Sequence, residues 1–114
     1  LPEGIKKKRG NDMSIKKQYL KNKSQCKVTF RVRKDVGNGA REMHVVGEFN
    51  KWDKGATPMK SYKDGTFVAT VDLDPNRQYQ FRYLADGADW LNDKDADTYI
   101  HCPYANCENS VIIT

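Results

Sequence analysis

From Gln25 to Thr114 the apolar residues recur every second position, in short runs separated by Gly, Pro, Asn and Asp, and this rhythm limits what the chain can fold into. Cys26, Val28, Phe30 and Val32 alternate with Lys27, Thr29, Arg31 and Arg33, which is the signature of a strand with one face in a core and one in water. Glu42 to Phe49, Met59 to Tyr62, Thr66 to Leu73, Gln78 to Ala85, Asp89 to Leu91 and Ser110 to Thr114 read the same way. Asp64-Gly65 and Asp86-Gly87 favour tight reversals because both residue types tolerate positive φ, and Asp74-Pro75-Asn76 supplies another turn. Asp35 to Ala40, with Gly37 and Gly39, reads as a flexible connection, and Gly47 inside a strand marks a bend or a close backbone approach. No amphipathic run of ten residues competes for a helix. The expectation is therefore all-β: a sandwich of seven or eight short antiparallel strands, with Val28, Phe30, Phe67, Val71, Phe81 and Tyr83 inward and Thr29, Thr70 and Arg82 outward.

A chain of 114 residues has room for one such core and no second domain to frame a cleft. Its charge divides unevenly. Residues 1–34 carry twelve Lys and Arg against two acids, whereas residues 35–114 carry eight against thirteen. An acidic body is a poor partner for phosphate backbones, so nucleic acid is not expected on it. The basic head is read as a solvated tail running into an outward strand face, with contact to RNA, DNA or an acidic surface as the alternative. Two segments follow: 1–24, basic and flexible, and 25–114, the sandwich. Met13-Ser14 resembles a natural start, so residues 1–12 read as a vector remnant, with a native extension as the alternative, and are expected to be disordered. Between Ser14 and Ser24, Ile15, Tyr19 and Leu20 suit a short helical turn or a segment lying over a sheet edge. No apolar stretch is long enough to span a membrane, and no secretory segment is visible. Together with three cysteines read as plain thiols, this points to a reducing, cytoplasmic setting; a Cys102–Cys107 bridge is the alternative.

Catalytic and metal chemistry find little support. His101, Cys102 and Cys107 fall short of the four ligands of a closed zinc site. Asp93, Asp95 and Asp97 match the first alternate positions of a calcium loop, but Thr98 stands where glycine is required and Tyr104 where the bidentate glutamate belongs. The same acids could act as a glycosidase pair only across a cleft that a single small sandwich does not offer. They read instead as a solvated loop, with Asp93 capping a turn or meeting an arginine. No enzyme activity and no cofactor are expected.

Trp52 and Trp90 stand outside the alternating pattern, each in a loop. A flat indole can cover the apolar face of a sugar ring while side-chain donors meet its hydroxyl rim; alternatively each ring caps one end of the sandwich. Around them, Gly47-Glu48-Phe49-Asn50-Lys51-Trp52, Pro58-Met59, Gly65 with Phe67, Tyr79-Gln80-Phe81-Arg82-Tyr83, Asp86-Gly87 with Trp90 and Asp93, and Asn109-Ser110-Val111 recur in a recognisable order. Over about residues 25–114 this resembles carbohydrate-binding module family 48, the immunoglobulin-like module of isoamylases and glycogen-branching enzymes that includes the glycogen-binding domain of the AMP-activated protein kinase beta subunit. The resemblance implies binding of α-1,4-glucan (glycogen, starch or maltooligosaccharide) without catalysis. It also implies a site in which Trp52 and Trp90 stack on sugar and Arg82 and Asn109 hydrogen-bond to it. Arginine replaces the family's lysine at position 82, one residue is added before Trp90, and the loop from Lys94 to Glu108 differs. Because family members fused to enzymes dock on their catalytic barrels, the competing expectation is a docking domain with a glycoside-processing enzyme or another protein as partner.

Overall fold

A computed structural model of the chain describes residues 14–22, 24–102 and 107–114. Among the described residues, nine strands build two antiparallel sheets. The first contains β1 (Ile15–Leu20), β2 (Gln25–Val32), β5 (Phe67–Leu73) and β4 (Lys60–Ser61), in the order β1-β2-β5-β4. The second contains β3 (Met43–Gly47), β6 (Gln78–Ala85), β9 (Glu108–Ile113) and β8 (Thr98–His101), in that order, with β7 (Asp89–Leu91) pairing β6 beyond the end of β9.

The alternating residues meet between the sheets. Val28, Phe30, Val32, Phe67, Phe81 and Tyr83 are buried there, and Val71 packs against them half-buried. Phe30 sits at the centre, its ring 5.0 Å from Phe81, 5.6 Å from Phe49 and 6.4 Å from Tyr83. Edge-on and offset contacts of this kind add about 0.5–1.5 kcal/mol per pair beyond the area they bury. Thr29, Thr70 and Arg82 take the opposite phase, as the period of two requires.

Gly47 is where β3 crosses closest to β6. A Cβ there would lie 2.5 Å from the Gln80 carbonyl oxygen and 2.7 Å from Phe81 Cβ, so no larger residue fits. The Asp86-Gly87 reversal has positive φ at both residues and closes with Ala88 N–H donating to the Ala85 carbonyl at 3.0 Å. At the Asp64-Gly65 hairpin, Gly65 N–H donates to the Tyr62 carbonyl and Tyr62 N–H to that of Thr66.

Several expectations change. The segment before residue 25, read as flexible, supplies an edge strand over Ile15–Leu20; the loop read between Asn92 and Asn109 contains β8. Neither strand fills the core with one face, so neither shows the apolar alternation, and lysine-rich composition suits an edge. The Asp35–Ala40 connection contains a single helical turn, α1 (Lys34–Gly37), ended by Asn38 in the left-handed region. The cysteines are corrected too. Cys102 and Cys107 form a disulfide, with Cα atoms 5.3 Å apart, while Cys26 is a buried thiol. The bridge, raised from the sequence as the alternative, closes the β8–β9 hairpin just beyond its last pair, His101 and Glu108. The thiol count thus no longer bears on the compartment. The expectation for residues 1–12 lies outside the described residues.

Candidate carbohydrate-binding face

The outer face of the second sheet is not a bare polar surface. Cross-strand register puts Val46 opposite Arg82, Leu84 opposite Trp90, Gln80 opposite Val111 and Ile100 opposite Asn109, all with side chains directed away from the core. Val46, Leu84 and Val111 are nonetheless buried and form an apolar floor. Trp90 and Arg82 stand over that floor. The Trp90 residue is 37% exposed, and the Arg82 guanidinium carbon lies 5.0 Å from the centroid of its ring. The Lys54 ammonium approaches the same ring at 5.9 Å. Two cations on one indole are held by the ring quadrupole, an attraction of about 0.5–1 kcal/mol each at an exposed site.

Trp52 sits in a strained loop. After β3 the chain makes a 3-10 turn (Glu48–Asn50), then Lys51 and Trp52 adopt φ of 57° and 58°. For non-glycine residues this costs on the order of 1 kcal/mol each and persists only where surrounding bonds impose it. Asn50 imposes it here. Its Oδ1 accepts from Gly47 N–H at 3.0 Å, and its Nδ2 donates to the Val45 carbonyl at 2.9 Å and to Thr57 Oγ1 at 3.0 Å, bracing both ends of the loop. Glu48 adds a tie to β6 by accepting from Gln80 N–H at 2.8 Å. Trp52 N–H donates back to the Gly47 carbonyl at 2.8 Å, and the residue is left 36% exposed. Asn50 was visible in the sequence as part of the Phe-Asn-x-Trp run, but its bracing role depends on contacts that only folding creates.

Asn109 lies on the same face but is 8% exposed, with one amide hydrogen directed to Gln80 Oε1 at 2.9 Å. Gln80 in turn is the neighbour of Arg82 along that face of β6. The four residues singled out from the sequence are therefore unequal: Trp52 and Trp90 offer ring surface, Arg82 lies against Trp90, and Asn109 is largely enclosed.

Asp93 caps a turn as expected, by accepting from Asp95 N–H, but it does so buried and not in the solvated loop that was expected. Asp93 is 2% exposed; its carboxylate accepts from the hydroxyls of Ser14 and Tyr83 and from Asp95 N–H, and its own N–H donates to Ser110 Oγ at 2.9 Å. Burial, then the nearby Asp93 and Asp95 charges, push the Tyr83 hydroxyl well above its ordinary pKa, so it stays a donor. Lys17 pairs with Asp97 at 2.7 Å, which places part of the basic head on the acidic loop of its own chain. Among the described residues no three His, Cys, Asp or Glu side chains converge as a metal ion would need, and no helix is long and apolar enough to cross a membrane.

The sequence profile of the family described as the glycogen recognition site of AMP-activated protein kinase matches residues 20–111, most of the chain. The chain belongs to this family. As a member of the glycogen-recognition family, it is also similar to 5'-AMP-activated protein kinase subunit beta-2 of mouse, rat and human. The identity is 36% over 55 residues, covering 48% of this chain and 19% of each relative. The chain thus spans about a fifth of the length of the curated relatives it matches. Its fold resembles part of ferric enterobactin esterase from Salmonella typhimurium, with a TM-score of 0.70 at 12% identity over 89% of this chain and 34% of that one. At that identity the likeness concerns architecture alone.

Proposed function

We propose that this chain is a non-catalytic module that binds α-1,4-glucan by stacking a sugar ring on Trp90. The observation that carries the reading is the half-exposed Trp90 ring above an apolar floor with Arg82 beside it, in a chain of the glycogen-recognition family. Trp52 supplies a second wall. Arg82 donates to hydroxyl or ring oxygens, and turning toward a ligand costs it no hydrogen bond, because its buried Nε has no acceptor. Asn109 contributes at the inner rim through the amide hydrogen not directed to Gln80. An open face leaves many sugar hydroxyls in water, so affinity for a short oligosaccharide is modest, with Kd between about 10 micromolar and 1 millimolar, roughly −7 to −4 kcal/mol.

The test is a titration with maltoheptaose or β-cyclodextrin followed by heteronuclear NMR. Shifts gathered on Trp52, Arg82, Trp90 and Asn109 are the expected result. No shifts at millimolar sugar would sink the reading and favour the second one, a docking domain, which draws support from the similarity to proteins that are themselves kinase subunits.

A further inference from the structure

We infer that the glucan held on this face carries an anionic ester, a phosphate monoester in chemical class, bound between Arg82 and Lys54. The inference rests on the glucan-binding reading above and goes beyond it in naming the substituent and adding Lys54 to the site. Neutral sugar recognition needs a ring to stack on and hydrogen-bond donors, and it has no use for a second formal positive charge. Here the Trp90 ring has two, the guanidinium at 5.0 Å and the ammonium at 5.9 Å.

Neither cation has a hydrogen-bond acceptor or an ion-pair partner among the described residues. The nearest acid in sequence to Lys54, Asp53, turns its carboxylate to its own loop and accepts from Gly55 N–H at 2.9 Å. Lys17, by contrast, is paired with Asp97. Contact with a π-face leaves the N–H groups of both cations available, because the attraction is to the ring and uses no acceptor. A phosphate offers three strong acceptor oxygens and close to two negative charges at neutral pH, which match a guanidinium fork on one side and a point-charge ammonium on the other. A sugar stacked on Trp90 would hold such a group on the ring's rim, within reach of both.

Lys54 also spans two loops. It belongs to the turn that Asn50 braces, while Trp90 follows the Asp86-Gly87 reversal. An anion between Lys54 and Arg82 would therefore draw the Trp52 loop toward Trp90 and close the two walls on the sugar.

The experiment compares maltoheptaose with maltoheptaose bearing one 6-phosphate ester, titrated into the full chain at low ionic strength and read by NMR and calorimetry. The expected result is about tenfold tighter binding of the ester, because hydrogen bonds to an ionised acceptor are roughly twice as strong as neutral ones. That advantage should shrink on adding salt, since both cations are near the surface. Lys54→Met keeps the aliphatic stem, removes the charge and should reduce the preference to less than about twofold. Equal affinities of the wild-type chain for the two sugars would overturn the inference while leaving glucan binding intact. A tighter ester whose shifts spread over the lysines of β1 would also overturn it, because that marks general attraction to a basic segment. Failure of both sugars to bind would remove the underlying reading as well.

Discussion

Two polar clusters lie on opposite sides of the same β6–β9 strand pair and differ in how their charges are partnered. On the inner side, Asp93 accepts from Ser14, Tyr83 and Asp95, and every one of those bonds is internal to the chain. On the outer side, Arg82 and Lys54 lie over Trp90 with no acceptor among the described residues, and both tryptophans are partly exposed to solvent. A buried carboxylate surrounded by donors stabilises a fold, because its removal leaves those donors without partners. Ring surface and cations left without partners add little to folding and are available to a ligand. The contrast teaches that in a small sandwich the carboxylates that look catalytic can be architectural, and that acidic side chains and cations must be read from their partners.

The largest expected effect tests the inner cluster. Asp93→Ala should lower unfolding free energy by about 2–4 kcal/mol in a denaturant titration, since it leaves the enclosed Tyr83 hydroxyl without its acceptor. Glucan affinity of the folded fraction should stay within about twofold. Lost affinity at full stability would reverse the comparison.

Asn50→Ala sits between the two clusters in kind. It removes the bonds to Gly47, Val45 and Thr57, and should cost about 1–3 kcal/mol of stability while also weakening glucan binding, because the left-handed backbone at Trp52 loses its brace. Stability and affinity measured on the same preparation separate this dual outcome from a purely structural one.

Trp90→Ala should act on the outer side alone. We expect at least about tenfold weaker maltoheptaose binding, about 1.4 kcal/mol, with a melting temperature close to that of the parent chain. A large fall in melting temperature would make the ring a structural cap.

The smallest effect is a pH dependence. Asp86 accepts from Glu42 N–H and Arg41 N–H, which hold its carboxyl below the ordinary carboxylate range in the folded chain. Its contribution is therefore fully present above the unfolded value of about 4 and is lost as pH falls through the lower folded value. Asp86→Asn should flatten this part of the acid limb of a melting-temperature profile. An unchanged limb would mean that the turn does not depend on the charge.

What was legible in the sequence follows from how local each signal is. Alternation is a property of consecutive residues, so the burial of Val28, Phe30, Phe81 and Tyr83 and the outward phase of Arg82 could be read directly. Turn chemistry is local too, and the reversals at Asp64-Gly65 and Asp86-Gly87 lie where their residues put them. The edge strands β1 and β8 were not legible, because an edge strand with both faces partly wet leaves no alternation to read. The Cys102–Cys107 bridge could be raised from the sequence only as an alternative, since the register that brings the two thiols together depends on β8.

The sequence by itself determined the class of fold, the phase of the long strands and the family, because these rest on spacing along the chain. Only the tertiary structure decided which polar groups face one another. Asp93 meets Ser14 from 79 positions away, Lys17 meets Asp97 from 80, and Lys54 and Arg82, from separate elements, converge on one ring. Such pairings arise where the packed sheets bring distant segments within a few ångströms, a proximity that no local pattern encodes.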